Sequence, residues 1–127
     1  SAVIGVVAQR LIRKLCSECK EAYVPSAEIK DMFCAEGFLV EDISLMKPVG
    51  CESCLQTGYS GRTAIYEMIN ITEDIRQIIL KNPSERNINE LAGRQGTKSL
   101  RQSGLQRVLD QITSLEEVLN ITIMDEQ

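Results

Sequence analysis

The chain has 127 residues, of which 43% are hydrophobic and 25% charged, with a net charge of −4, five cysteines, no histidine and no tryptophan. That composition is of a globular domain large enough to bury a core of its own. The missing histidine excludes serine–histidine and cysteine–histidine catalysis, and the acidic balance is the wrong sign for general nucleic-acid binding. No stretch approaches the roughly 18 apolar residues of a membrane span.

In chain order, Ile4, Val7, Ala8, Leu11, Ile12 and Leu15 recur at the spacing of one helix face, with Gln9, Arg10, Arg13 and Lys14 off it. The spacing predicts an amphipathic helix that starts without a cap or a signal peptide, as expected of a piece of a longer protein. Pro25-Ser26 predicts a second, short helix carrying Ile29, Met32 and Phe33 and stopping at Gly37. Residues 45–50 and 59–69 read as short strands of a small antiparallel hairpin, the second alternating Thr63, Ile65, Glu67 and Ile69 with Ala64, Tyr66 and Met68.

Beyond residue 72 the pattern is helical. Thr72 is read as the cap of a helix with Ile75, Ile78 and Ile79. Asn82-Pro83-Ser84 then opens another with Ile88, Leu91 and Ala92, ending before Gly96. A longer helix follows with a stripe of Leu105, Val108, Leu109 and Ile112. Ser114-x-x-Glu117 has the pattern of a capping box for the last one. The expected fold class is therefore mostly α with a small β-hairpin: a tetracysteine subdomain at 16–62 followed by a C-terminal helical bundle at 63–127. The tail after Ile123 reads as acidic and frayed.

The chemistry lies in the cysteines. Cys16-x2-Cys19 and Cys51-x2-Cys54 place four sulfurs on two tight turns, the donor set of a structural zinc ion held tetrahedrally. Disulfides, a redox pair and an iron–sulfur cluster use the same residue type. An odd thiol count without a secretory leader argues against the first, and the absence of a thioredoxin-like pattern against the second. Spacing alone leaves the cluster open. Cys34 falls on the second helix, outside either pair, and is read as a free thiol. Four thiolates around one dication make the site locally negative. The neighbouring cations Arg13, Lys14, Lys20 and Arg62 are candidates to offset it, Arg62 alternatively pairing with Glu67 or making an intersubunit or ligand contact.

Three blocks, GVVAQRLIRKLCSECKEAY at 5–23, PVGCESCLQTGYSGRTAIYEMI at 48–69 and SLRQSGLQRVLDQITSLEEVLNIT at 99–122, resemble the C-terminal part of the type II secretion ATPases and their type IV pilus assembly relatives. The resemblance implies that residues 1–15 continue from an upstream RecA-like ATPase core, and that Cys16, Cys19, Cys51 and Cys54 hold the family's metal. It also implies that ATP and Mg²⁺ bind only in the upstream domain. The parent would be a hexameric motor in the cytoplasm, peripheral at the bacterial inner membrane through platform proteins, and this piece a rigid coupling arm. No G-x-x-x-x-G-K-[ST] phosphate loop occurs here, so this segment by itself is expected to be non-catalytic. A pilus assembly ATPase and a stand-alone zinc-binding protein-interaction module are the alternative readings.

Overall fold

A computed structural model describes residues 3–71, 73–81 and 98–123. The elements are β1 (Val3–Leu15), β2 (Glu21–Tyr23), α1 (Ala27–Ala35), β3 (Leu45–Lys47), β4 (Tyr59–Ile71), α2 (Glu73–Lys81), α3 (Leu100–Leu109) and α4 (Leu115–Ile123). This is not a mostly α fold. Its centre is an antiparallel ribbon of two 13-residue strands, β1 and β4, with a second small antiparallel sheet of β2 and β3.

The largest correction concerns residues 4–15, which form a strand and not a helix. A helical stripe would bury Leu11 together with Ile12 and Leu15; instead Leu11 is 54% exposed beside buried Ile12, as period-two alternation requires, and the register shift between Arg13 and Leu15 accompanies the return of Leu15 to the buried side. The segment is rich in β-branched residues, and its fate is decided by the long partner strand at 59–71, which local spacing does not reveal. Ile12 lies opposite Thr63 and Arg10 opposite Ile65, 51 and 55 positions apart in sequence. The expected hairpin between 45–50 and 59–69 is likewise absent. Leu45 pairs with Tyr23 and Lys47 with Glu21, so each predicted strand takes a different partner from the one assigned.

The C-terminal helices do not form a separate bundle. α3 and α4 pack on the ribbon and share one core with it, made of Ile12, Ile65, Leu105, Val108, Leu115 and Val118, which continues through Phe33 and Leu45. Gly104 makes the α3–α4 contact close: a Cβ there would stand 2.5 Å from Val118 Cγ1. α3 starts with a full capping box, Ser99 Oγ accepting from the Gln102 N–H while the Gln102 side chain accepts from the Ser99 N–H. α1 matches its expected bounds. Ser26 caps it, Phe33 is its buried face and Gly37, at φ +92°, ends it. The Thr72 cap, the helix expected after Ser84 and the tail after Ile123 lie outside the described residues.

The end of β1 is what positions the cysteines. A register shift between Arg13 and Leu15 breaks the ladder with β4. The freed backbone groups then turn to the connection between α3 and α4: the Leu15 N–H donates to Ile112 O at 2.8 Å, and Thr113 Oγ1 donates to Arg13 O at 2.7 Å. The chain passes from this anchored bulge directly into Cys16.

Candidate metal centre

Two turns carry the sulfurs. The first, at Cys16–Cys19, follows β1 and is closed by the Lys20 N–H donating to Cys16 O. The second, at Cys51–Cys54, precedes β4. It is closed by the Gln56 N–H donating to Cys51 O at 2.8 Å, with Leu55 and Gln56 in the left-handed region at φ 56° and 65°. Because β1 and β4 pair, their ends bring the two turns face to face despite the 35 residues between Cys16 and Cys51.

All four sulfurs lie within 4.8 Å of one another. Cys16 and Cys51 are 3.8 Å apart, Cys19 and Cys54 3.8 Å, Cys51 and Cys54 3.7 Å. A tetrahedral ion with metal–sulfur bonds of about 2.3 Å requires sulfur–sulfur edges of about 3.8 Å. The spacing therefore fits one mononuclear ion. It is too tight for a cluster, in which iron and sulfide separate the cysteine sulfurs, and none of the five cysteines is in a disulfide. Cys34 is exposed on α1, outside the group.

Negative charge on the sulfurs is met by backbone N–H groups. Gly50 donates to Cys19 Sγ at 3.3 Å, Cys51 to Cys54 Sγ at 3.2 Å and Gly58 to Cys54 Sγ at 3.1 Å. Burial pushes the Cys54 thiol up, but the N–H groups of Cys51 and Gly58, joined by the Cys51 and Cys19 sulfurs, outweigh it and bring it down to about 6. Cys51 is drawn down by the Cys54 backbone, yet burial and the crowd of sulfurs leave it raised to about 11. Cys54 is the sulfur that receives two amide N–H groups, from Cys51 and Gly58, contacts that favour its thiolate. That is a donor set prepared for a cation.

Two of the flanking cations expected to offset the thiolates, Lys20 and Arg13, are engaged elsewhere. Lys20 Nζ donates to Gln111 O, and Arg13 lies 4.1 Å over the Tyr59 ring while its guanidinium donates twice to Glu117. Those bonds hold the Arg13 guanidinium above its ordinary range. Arg62 stands directly across the ribbon from Arg13 and lines an open cleft of about 420 Å³ with Arg13, Thr57, Tyr59, Ser60 and Gly61. Glu117 also departs from the expected capping box. Its N–H does donate to Ser114 Oγ, but its carboxylate leaves the helix end for Arg13, accepting from both the backbone N–H and the side chain.

Residues 1–120 match the family described as "Type II/IV secretion system protein". The chain belongs to that family. Among its relatives in this secretion system family are a type IV pilus assembly ATPase PilB of Thermus thermophilus, 42% identical over 123 residues, covering 97% of this chain and 14% of the relative. A type II secretion system protein E of Aeromonas hydrophila is 43% identical over 126 residues, 98% of this chain and 24% of the relative. A type II secretion system ATPase E of Vibrio cholerae is 37% identical over 122 residues, 96% of this chain and 24% of the relative. The chain spans a quarter or less of the length of these curated relatives. Like the family's resemblance blocks, the match embraces both cysteine turns. No described helix is long and apolar enough to cross a membrane.

Residue patterns alone missed the amide donors Gly50 and Gly58 and the Arg13–Glu117 pair. The glycines carried a signal in hindsight: each flanks the second cysteine pair, where left-handed backbone turns an N–H toward a sulfur. The ion pair carried none, because it spans 104 residues.

Proposed function

We propose that this chain is the metal-binding region of a hexameric secretion ATPase that powers pseudopilus assembly in type II secretion, with Cys16, Cys19, Cys51 and Cys54 holding one structural Zn²⁺. The sulfur edges of 3.7–3.8 Å carry the metal assignment. When bound, the ion adds no chemistry of substrate; it joins the two turns. The chain's own residues do the rest. The β1–β4 ribbon brings the turns together, amide N–H groups satisfy the thiolates, and the α3–α4 connection anchors the same end of the ribbon. The resulting rigid arm transmits nucleotide-driven motion of an upstream core to neighbouring subunits and platform proteins. Residues 1–15 on this reading continue the ATPase core, 16–62 form the metal subdomain and 63–127 the C-terminal subdomain.

Elemental analysis tests the first part. One zinc per chain is expected, with Cys51→Ser losing the metal; stoichiometric iron would reassign the ion, and a metal-free folded chain would refute the site. In the parent protein, Cys51→Ser is expected to retain nucleotide binding and lose secretion. Undiminished secretion would remove the coupling role. The 42% identity to a pilus assembly ATPase supports a second reading, service in type IV pilus assembly, which cross-complementation of secretion and pilus mutants separates.

A further inference from the structure

Resting on the metal reading above, we propose that Gly58 is a positioning residue of the centre, a single residue whose backbone ties both cysteine turns to each other and to the ribbon. Its N–H donates to Cys54 Sγ at 3.1 Å, in the second turn, and its carbonyl accepts the Cys16 N–H at 2.9 Å, in the first. No side chain can make such a bridge, since donor and acceptor belong to the same residue's backbone. The position is also the entrance to β4, one residue before Tyr59, which pairs with Leu15. Gly58 is therefore the last rung of the ribbon and the first contact of the metal centre.

The bridge requires glycine on two counts. Its φ is +84°, and a Cβ built there would lie 2.5 Å from Pro48 Cβ and 3.2 Å from Pro48 Cα. Pro48 is a rigid ring two residues before Gly50, whose own N–H donates to Cys19 Sγ. Displacing it would disturb a second sulfur contact as well. Gly61 supplies the comparison. It has a similar φ of +78°, yet a Cβ there meets nothing nearer than Lys14 Cδ at 3.9 Å, and the amides that donate to sulfur are those of Gly50, Cys51 and Gly58.

The test uses the full 127-residue chain and zinc alone, with affinity measured by competition against a chromophoric chelator. Gly58→Ala is expected to weaken zinc binding about 10- to 100-fold, the usual cost of losing a partner that orients a ligand. Gly61→Ala, with the same backbone demand, is expected to bind zinc as the native chain does. Adding Pro48→Gly to Gly58→Ala should recover part of the loss by relieving the collision. A further measurement on the native chain needs no variant to fold. Loaded with the spin-active cadmium isotope, the chain should show scalar coupling from the metal to the Gly58 amide proton through the N–H···S bond, and none to Gly61. Gly58→Ala binding as tightly as native, Gly61→Ala losing as much, or a missing Gly58 coupling would overturn the role of Gly58. A native chain that takes no zinc would instead overturn the metal reading beneath it.

Discussion

Glu117 shows how much a single buried acceptor organises near the cysteines. Its side chain is 7% exposed and receives the Arg13 N–H at 2.7 Å together with two guanidinium bonds at 3.1 and 3.0 Å. The guanidinium itself is half-exposed, so the charge pair contributes modestly in water, whereas the backbone N–H at the bulge has no ladder partner to return to. Glu117→Ala is therefore expected to destabilise the fold by about 1–3 kcal/mol in urea denaturation. Glu117→Gln, which keeps an oxygen for the Arg13 N–H, should cost clearly less. Equal losses for the two variants would place the stabilisation in the ionic charge instead. The sequence hinted at half of this residue's role: the Ser114 spacing marked a helix start, and the capping N–H bond exists, but the carboxylate follows the stronger partner 104 residues away.

At the scale of elements, α3 and α4 meet through Gly104. Replacing a helical glycine by alanine ordinarily stabilises by about 1 kcal/mol, whereas forcing a methyl into a filled core costs about 1–3 kcal/mol. Here the neighbour is Val118, fully buried and, as a β-branched residue in a helix, held to one favoured rotamer. The steric cost wins. Gly104→Ala should lower stability by about 1–2 kcal/mol despite the better helix former, and Val118→Ala in the same chain should show a favourable coupling in a double-mutant cycle. An increase in stability on Gly104→Ala alone would mean the helices can separate without loss. The same scale explains what could be read without coordinates. α1 was legible because its cap, buried face and stop all lie within 12 residues, from Ser26 to Gly37. The β1 segment was misread because its spacing fits a helix and its deciding partner, β4, lies more than forty residues beyond it. The tetracysteine grouping is independent of that error, since close approach of the turns needs only that the end of β1 lie beside the start of β4.

For the whole molecule, the arrangement places one potential crosslink where three elements converge: the end of β1, the start of β4 and the α3–α4 connection. Leu15, Cys16 and Thr113 make the hydrogen bonds of that junction. The remaining core, from Ile12 to Val118, is apolar and includes none of the four cysteines. Metal loss should therefore loosen the junction before it unfolds the core. Exposed Leu55, at 83% accessibility on the second cysteine turn, would move with the junction and not with the helices. A rigid arm of this construction conveys force only while the junction is closed, which joins the chain's local geometry to the coupling role proposed for the parent motor.

Amide hydrogen exchange, read residue by residue on the zinc-loaded chain and again after chelation, tests the clamp most directly. If the four cysteines hold a metal that closes the junction, protection at Leu15, Cys16 and Gly58 falls sharply on chelation, while Val108 and Val118 in the helical core keep theirs. Unchanged protection at Cys16 and Gly58 after complete metal removal would contradict a structural metal centre.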